Sequence, residues 1–454
     1  MKVIKFGGSS LASAKQVKKV FDIVMSDPTR RIVVVSAPGK RFSEDRKVTD
    51  LLIECAQRIL SEGTTTDLVE LVLKRYSSIA NELNLSDDVM SRIQNDLQRV
   101  LDNKLNLEPN RYLDAVMASG EDNHAKLIAA FFQKQGIEAH YINPKEAGLF
   151  VSNEAGNAQV LAESYKNLSL LRERRGILIF PGFFGYSEEG DVITFSRSGS
   201  DITGSILANA IKADVYENFT DVDAVYSVNP SIIERPKEIA ELTYREMREL
   251  SYAGFSVFHD EALLPAYHAE IPVHIRNTNN PTAQGTKIVK EREFTNGPVI
   301  GIASDNNFCS IYISKYMMNR EIGFGRKLLT ILEELGLSYE HIPSGIDDLT
   351  VILRQTQMDI DIERNVLARI NQELNPDEVK VEHNLSLIMI VGEGMRQNVG
   401  TTARAAKALA KAGINIEMIN QGSSEVSMMF GVKEAQEIQA VQALYEEFFV
   451  GVLI

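Results

Sequence analysis

Near the start of the chain, KVIKFGGSS sets a lysine, two adjacent glycines and two serines at the end of an apolar run. Val3, Ile4 and Phe6 read as a strand, which Gly7-Gly8-Ser9-Ser10 breaks. Glycines at such an exit can take positive φ and bring backbone N–H groups close to a ligand. Ser9 or Ser10 can cap the next helix, whose N-terminal dipole favours anions. With Lys5 beside the turn, a phosphate is the guest this chemistry suits. The stretch matches neither the P-loop nor the dinucleotide fingerprint, so a plain strand–turn–helix with an incidental lysine reads equally well.

The same transition recurs, and it says which elements must position such a site. RRIVVVSAPGK carries a β-branched run, Ile32 to Val35, into Ser36-Ala37-Pro38-Gly39. GILIFPGFFG repeats it from Ile177 to Gly185. Continuous apolar runs of this kind are typical of strands buried on both faces of a parallel sheet. Helical patterns intervene: Val48 to Ser61, much of the region up to Leu105, and MASGEDNHAKLIAAFFQKQG, read as a turn with an acidic residue followed by a helix ending at Gly136. SRSGSDITGSILANAIKA reads as a polar loop entering a helix. Alternating strands, helices and glycine-rich exits predict an α/β layered core with ligands at the strand ends.

The 454 residues allow two to four domains, with 44% hydrophobic and 24% charged content as in soluble globular chains. Formal charge is −14, which disfavours nonspecific binding to nucleic acid or to an anionic membrane. Cys55 and Cys309 form no close-spaced metal motif or disulfide framework, so a reduced, cytoplasmic setting is expected. No signal peptide or stretch of transmembrane length is read.

After about Phe294 the texture changes. FCSIYIS at Phe308 and LSLIMIV at Leu385 read as strands; Gly323 and Gly400 open helices that reach Gly336 and Gly413. YEHI and IEMI then read as second strands, and each of these pairs, like Met318/Met395 and Gly345/Gly422, is 77 positions apart. This predicts an internal duplication of a small strand–helix–strand unit suited to ligand sensing, dimerisation or a purely structural role.

Taken in order, KFGGSS, VVVSAPGK, SGEDNHAKL, FPGFFG, SRSGSDIT and FTDVDAVYSVNP resemble the motifs of the aspartate kinase family, and PVHIRNTNNPTAQGTKI resembles its kinase-to-regulatory junction. The duplicated units resemble paired ACT domains, and the likeness spans essentially the whole chain. It implies an amino-acid-kinase α/β/α domain over residues 1–294, a first ACT-like α+β domain over 306–378, and a second built from 295–305 with 379–454. The strand near Val299–Ala303 would then pair with the C-terminal unit. No homoserine-dehydrogenase extension is expected after Ile454.

The implied reaction moves the γ-phosphoryl group of ATP to the β-carboxylate of L-aspartate. Transfer between two anions requires charge compensation more than a strong base. By resemblance Lys5 contacts the migrating phosphoryl group with the Gly7 and Gly8 backbone, while Ser36 and Thr49 hold the phosphate or acceptor side. Arg197 would clamp the α-carboxylate, Asp201 would attract the substrate ammonium, and Glu121 would stand beside the amino-acid pocket. Without the resemblance each could equally be a helix-start charge satisfied by solvent.

Thr220, Asp221, Tyr226, Asn229 and Pro230 would meet ATP, and magnesium would come with ATP, with no protein metal ligand named. Met318, Glu321, Gly323, Phe324, Gly325, Ser338 and Glu340 would form an effector site, for L-lysine, in a homodimer or homotetramer. Two departures remove expected positive charge near ATP: Asn229-Pro230-Ser231 where the family usually has Asp-Pro-Arg, and Gly254-Phe255-Ser256 where it commonly has Gly-Ala-Lys. Lys212 is one residue that could compensate. The alternatives are a kinase for another small carboxylate, such as glutamate or N-acetylglutamate, and a catalytically weak amino-acid sensor.

Overall fold

A computed structural model describes the chain except residues 64, 197, 256, 257, 259, 295, 296, 423–425 and 451–454. It divides into two compact units: 1–225 with 238–248 and 256–292, and 226–237 with 249–255 and 293–454.

The first unit is a three-layer α/β/α domain on an eight-stranded sheet. Its strands are β1 (Lys2–Phe6), β2 (Arg30–Val35), β3 (Ala139–Tyr141), β4 (Ile177–Pro181), β5 (Tyr216–Thr220), β6 (Glu241–Thr243), β7 (Val273–Asn277) and β8 (Thr286–Val289). Their order is β6-β8-β7-β5-β1-β2-β4-β3, parallel except for the β7/β8 pair. The apolar runs seen in the sequence are its buried central strands, as burial on both faces requires.

Side-chain alternation then splits the central strands between two layers. Ile4, Phe6, Val33, Val35, Ile179 and Phe219 join one core with α1 (Ala14–Met25), α2 (Val48–Glu62), α3 (Thr66–Glu82), α4 (Asp87–Asp102) and α5 (Pro109–Lys134). Lys5 and Asn218, paired in register across β1 and β5, point to the other face. There α7 (Gly199–Ile211) packs between α6 (Ala162–Ser169) and α9 (Asp260–His268), with α8 (Tyr244–Tyr252) preceding α9 in the chain. Gly204 lets α7 come close: a Cβ on it would lie 2.5 Å from the Tyr216 hydroxyl.

Two local expectations change. SGED is not a turn: residues 109–134 form one helix, and Gly120 sits inside it because a Cβ there would press to 3.1 Å on Ala37 and Leu52. Neither Ser9 nor Ser10 caps α1. Residues Ser9–Leu11 make a single 3-10 turn, Ser13 is the N-cap, and its side chain accepts from the Gln16 N–H at 3.4 Å. Ser10 is buried instead, its hydroxyl 2.7 Å from that of Thr278.

The second unit holds a six-stranded antiparallel sheet made of β9 (Gly301–Ser314), β10 (Tyr339–His341), β11 (Asp348–Arg354), β12 (Glu378–Val391), β13 (Met418–Asn420) and β14 (Ser427–Lys433). The order is β10-β11-β9-β12-β14-β13. One core gathers Cys309, Ile311, Val351 and Leu353 with α10 (Phe324–Glu334) and α11 (Ile360–Leu374). A second gathers Ile302, Ile388, Ile390 and Phe430 with α12 (Thr401–Lys411) and α13 (Glu437–Tyr445). Residues 308–314 of β9 pair with β11 and the first half of β12, whereas 301–305 pair with 387–391. Each long strand therefore serves both halves. Left-handed Asn307 and Asn384 mark where each changes register.

The 77-residue offset relates β9 to β12 and α10 to α12, and the paired helix caps Gly323 and Gly400 are both left-handed, at φ 83° and 90°. It does not hold for the next strands: β10 and β13, like β11 and β14, are 79 apart. Two extra residues before the third strand of the second half account for the slip.

Within the first unit, buried Glu217 takes a two-pronged contact from Arg30 at 2.6 and 3.1 Å and a third from Arg276 at 3.2 Å. Burial alone would raise its pKa, but Arg30, Lys2 and Arg276 outweigh burial and hold it below the ordinary value. Removing one partner of a buried pair strands the other charge, at about 3–5 kcal/mol. Glu217→Ala is therefore expected to lower unfolding stability by that amount in urea titrations; a loss below 1 kcal/mol would mean the arginines find water.

Candidate active site

The candidate site lies at the C-terminal edge of the parallel strands, where a strand leaves its neighbours and backbone groups are free to meet a ligand. Lys5, next to last in β1, is nearly buried, and its Nζ lies 2.5 Å from Asp201 Oδ1. Asp201 belongs to the first turn of α7, entered through Ser198 at φ 61°. Its Oδ1 also accepts from Asn218 Nδ2 at 2.6 Å, and its backbone carbonyl accepts from Tyr216 Oη at 3.1 Å. Strands β1 and β5 thus fix one ammonium and one carboxylate at a helix N-terminus. Asp201 uses one of the three N–H donors of Lys5, and the ammonium can turn the others to an anion.

The glycines serve close approach, not positive φ. Gly8 is right-handed, at φ −59° and ψ −37°, and donates no unusual geometry. Its carbonyl accepts from the Gly39 N–H at 2.9 Å, and a Cβ on Gly39 would lie 2.5 Å from the Gly8 carbonyl carbon. Two backbones cross where KFGGSS meets SAPGK. The Gly7 N–H donates to Phe219 O at 3.1 Å, so β5 steadies the same turn. Gly182, after β4, makes room for Ser200, to which a Cβ would approach within 2.6 Å. Arg75, buried on α3, anchors the crossing from behind, donating to Gly39 O and to Asp45 at 2.8 Å each.

Glu121 lies on α5, and its side chain is buried with Oε2 lacking a hydrogen-bond partner among the described residues. Burial raises its pKa to about 7, and the Ala37 N–H pulls the other way. One turn on, His124 is fully buried and held neutral, burial lowering it to about 4. Its Nδ1 lies 2.8 Å from Ser36 O. Ser36 and Thr49, the first after β2 and the second in the first turn of α2, are both half-buried. Arg197 lies outside the described residues.

Thr220 and Asp221 end β5: the Thr220 hydroxyl is 3.2 Å from Asp221 Oδ1, and the Thr220 carbonyl accepts from the Thr278 N–H at 2.9 Å. Tyr226, Asn229 and Pro230 fall in the second unit, where Asn229 Oδ1 caps its own turn through the Ser231 N–H at 3.0 Å and hydroxyl at 2.9 Å. Lys212 cannot stand in for a missing phosphate-side cation. It caps the C-terminus of α7, roughly 16 Å along the helix from Asp201 at 1.5 Å per residue.

In the second unit, Glu321 is gripped by Lys315 at 2.6 Å and Lys327 at 2.7 Å, hydrogen bonds that lower its pKa. Met318 and Phe324 are buried, Gly323 is the left-handed cap of α10, and Gly325 faces open space. Ser338 is tied to Gln357, its N–H donating to Oε1 at 2.9 Å. Glu340 is not bare: Arg354 Nε lies 3.2 Å from Oε1, and the Tyr252 hydroxyl donates to Oε2.

Asn218, His124 and Arg75 were missed by motif reading. His124 lay within the quoted SGEDNHAKL without being assigned a role, and Asn218 left a trace as part of a polar Glu-Asn pair inside the strand YENFT.

An ammonium, a glycine crossing and a buried carboxylate with one unpaired oxygen, in a unit followed by paired α+β halves, suit a small-molecule kinase with a regulatory pair. Residues 1–277 match the amino acid kinase family, and residues 388–448 match the ACT domain. Over its full length the chain is 70% identical to Aspartokinase 3 of Bacillus subtilis, covering all of both proteins. It is 28% identical to Aspartokinase 1, chloroplastic, of Arabidopsis thaliana, over 98% of this chain and 80% of that one. Among solved structures, aspartate kinase of Clostridium acetobutylicum superposes with TM-score 0.88 at 37% identity, covering 99% of this chain and all of that one. The chain belongs to the aspartokinase family and is a kinase. No described helix is long and apolar enough to cross a membrane.

Glu121 generates a prediction for the protein without ligand. A carboxyl whose pKa rises on folding favours the folded state below its unfolded value, near 4.5, and loses that contribution as pH rises through about 7. Glu121→Gln should therefore gain stability over the wild type as pH rises from 5 to 8.5, reaching roughly 2–3 kcal/mol. Thermal midpoints of the two proteins against pH test this; parallel profiles would contradict it.

Proposed function

We propose that the enzyme phosphorylates the β-carboxylate of L-aspartate with ATP, forming 4-phospho-L-aspartate and ADP. The observation that carries the reading is Lys5, an ammonium fixed by Asp201, itself held by Asn218, at the glycine crossing, in a unit that also holds buried Glu121 with Oε2 unpaired. A carboxylate oxygen of aspartate attacks the γ-phosphorus as the bond to the β–γ bridging oxygen breaks, and ADP leaves with the electron pair. No proton has to move, so the work is charge compensation and alignment. Lys5 neutralises the migrating phosphoryl group beside the Gly7-Gly8 backbone, whose Gly7 N–H stays on Phe219 O and shapes the turn, with Ser36 and Thr49 on the acceptor side.

We divide the carboxylate roles differently from the motif expectation. Asp201 accepts from both Lys5 and Asn218 through Oδ1, which suits it to orient the ammonium. Glu121, unpaired at Oε2, is the better receiver of the substrate ammonium, whose charge would repay its burial. Arg197 is retained for the α-carboxylate. Thr220 and Asp221 belong to the nucleotide side with Tyr226, Asn229 and Pro230. Magnesium would come with the ATP phosphates and water, with no protein ligand named. Such an ion would offset phosphate charge.

The proposal keeps the kinase domain at residues 1–294 and the ACT-like domains at 306–378 and at 295–305 with 379–454, in a cytoplasmic enzyme. ADP release measured with aspartate, glutamate and N-acetylglutamate in turn, at fixed Mg-ATP, tests the substrate. Turnover with aspartate is expected, and turnover only with another acid, or with none, would overturn the reading. Lys5→Met should reduce kcat by two to three orders of magnitude in a folded sample, the range for one lost transition-state donor. Near wild-type kcat would remove Lys5 from the mechanism.

L-lysine is the proposed feedback inhibitor, received between the Met318–Gly325 turn and the Ser338–Glu340 strand. Because Glu340 already accepts from Arg354 and Tyr252, an effector ammonium must share or displace those contacts. Titration at fixed aspartate and Mg-ATP should show inhibition by lysine, with threonine weaker. Glu340→Ala should raise the half-inhibitory lysine concentration at least tenfold. Inhibition by threonine alone would reassign the site.

A further inference from the structure

We infer that His124 is a positioning residue for the acceptor side of the transfer, acting through the Ser36–Ala37 peptide; this rests on the aspartate-kinase reading above. Its Nδ1 lies 2.8 Å from the Ser36 carbonyl oxygen. A carbonyl only accepts, so the neutral ring carries its proton on Nδ1 and donates. The N–H of Ala37 belongs to the same planar peptide unit and lowers the pKa of Glu121, which sets it beside that carboxyl. Glu121 and His124 are three apart on α5, on one helix face, so a single helix holds the Ser36 carbonyl end of that peptide plane and sets a carboxyl beside its other end. Gly120 brings that face against Ala37, where a Cβ would meet Ala37 Cβ at 3.1 Å. Tyr76 supports it from behind, its hydroxyl donating to Gly120 O at 2.7 Å and its ring edge-on to His124 at 6.1 Å.

The cost of this arrangement argues for its purpose. His124 is 0% exposed, and its Nε2 has no hydrogen-bond partner among the described residues. An unmet buried polar atom destabilises a core that leucine would fill without penalty. What the histidine adds is the one bond to Ser36. Rotation of that peptide would swing the Ser36 side chain, withdraw the Ala37 N–H from Glu121, and loosen the loop that reaches the Gly8 crossing at Gly39. All of these lie on the acceptor and phosphoryl side, whereas Thr220 and Asp221 sit at the end of a different strand.

The test compares His124→Leu, His124→Asn and His124→Gln in full-length protein, with aspartate and ATP constants and thermal midpoints measured for each. Asparagine places an amide nitrogen where Nδ1 was, whereas glutamine mimics Nε2. The expected result for His124→Leu is at least a tenfold fall in kcat/KM for aspartate, carried partly by a higher aspartate KM, with the ATP KM within twofold. His124→Asn should return to within threefold of wild type, and His124→Gln should not. Equal loss in all three variants, or aspartate and ATP constants moving together in proportion to thermal midpoint, would reduce His124 to a core residue and overturn the inference. Wild-type kinetics in His124→Leu would also overturn it. Should the leucine variant fail to fold, the Asn and Gln pair decides alone: activity in Asn with loss in Gln supports the role, and equal activities refute it. A wild-type protein inactive on aspartate in the same assay would instead overturn the aspartate-kinase reading, and this inference with it.

Discussion

One ammonium group has to stay charged, nearly buried and aimed at the edge of a parallel sheet. Lys5 occupies a strand between buried, apolar Ile4 and Phe6, an environment that penalises an unpaired charge. The ion pair with Asp201 meets that penalty, and Asn218 from the neighbouring strand keeps the carboxylate in place. Much of the catalytic unit follows from this contact. Helix α7 must begin at the strand ends, which requires the left-handed entry at Ser198, and it must lie close to β5, which requires Gly204 opposite Tyr216.

The second constraint is room. A phosphoryl group bound by backbone needs chain segments closer together than side chains permit. Gly8 and Gly39 cross with their backbones in contact, Gly182 admits Ser200, and Gly120 admits Ala37. Helix α5 and Arg75 hold the second loop of that crossing from below. In the regulatory unit the organising device differs: two long strands are each shared between two βαββαβ halves, so neither half has a complete sheet without the other.

The layered fold was legible because buried parallel strands announce themselves as unbroken apolar runs, as in IVVV and ILIF. The regulatory strands were only half visible. EVKVEHN, the first half of β12, mixes charged and half-buried residues and resembles no core strand until its partner is known. SGED misled because glycine usually ends helices; here packing on Ala37, invisible in one dimension, overrides that tendency. Lys5, Glu121 and Asp201 were found from motifs, but their division of labour was not. That Asp201 Oδ1 meets Lys5 and Asn218 depends on which strand neighbours β1, a tertiary fact. The contacts of His124 and Arg75 carry no local signal, since each acts on a backbone carbonyl far away in the chain, although His124 lies inside SGEDNHAKL.

The central claim is that Asp201 acts through Lys5, not on the substrate directly. A double-mutant cycle on kcat with Asp201→Asn, Lys5→Met and the combination measures this most directly. If Asp201 serves only to hold and orient the ammonium, its removal costs little once Lys5 is gone, and the double variant is as slow as Lys5→Met alone. Multiplicative losses, with the double variant slower by the product of the two single effects, would show that Asp201 has an independent role and contradict the account.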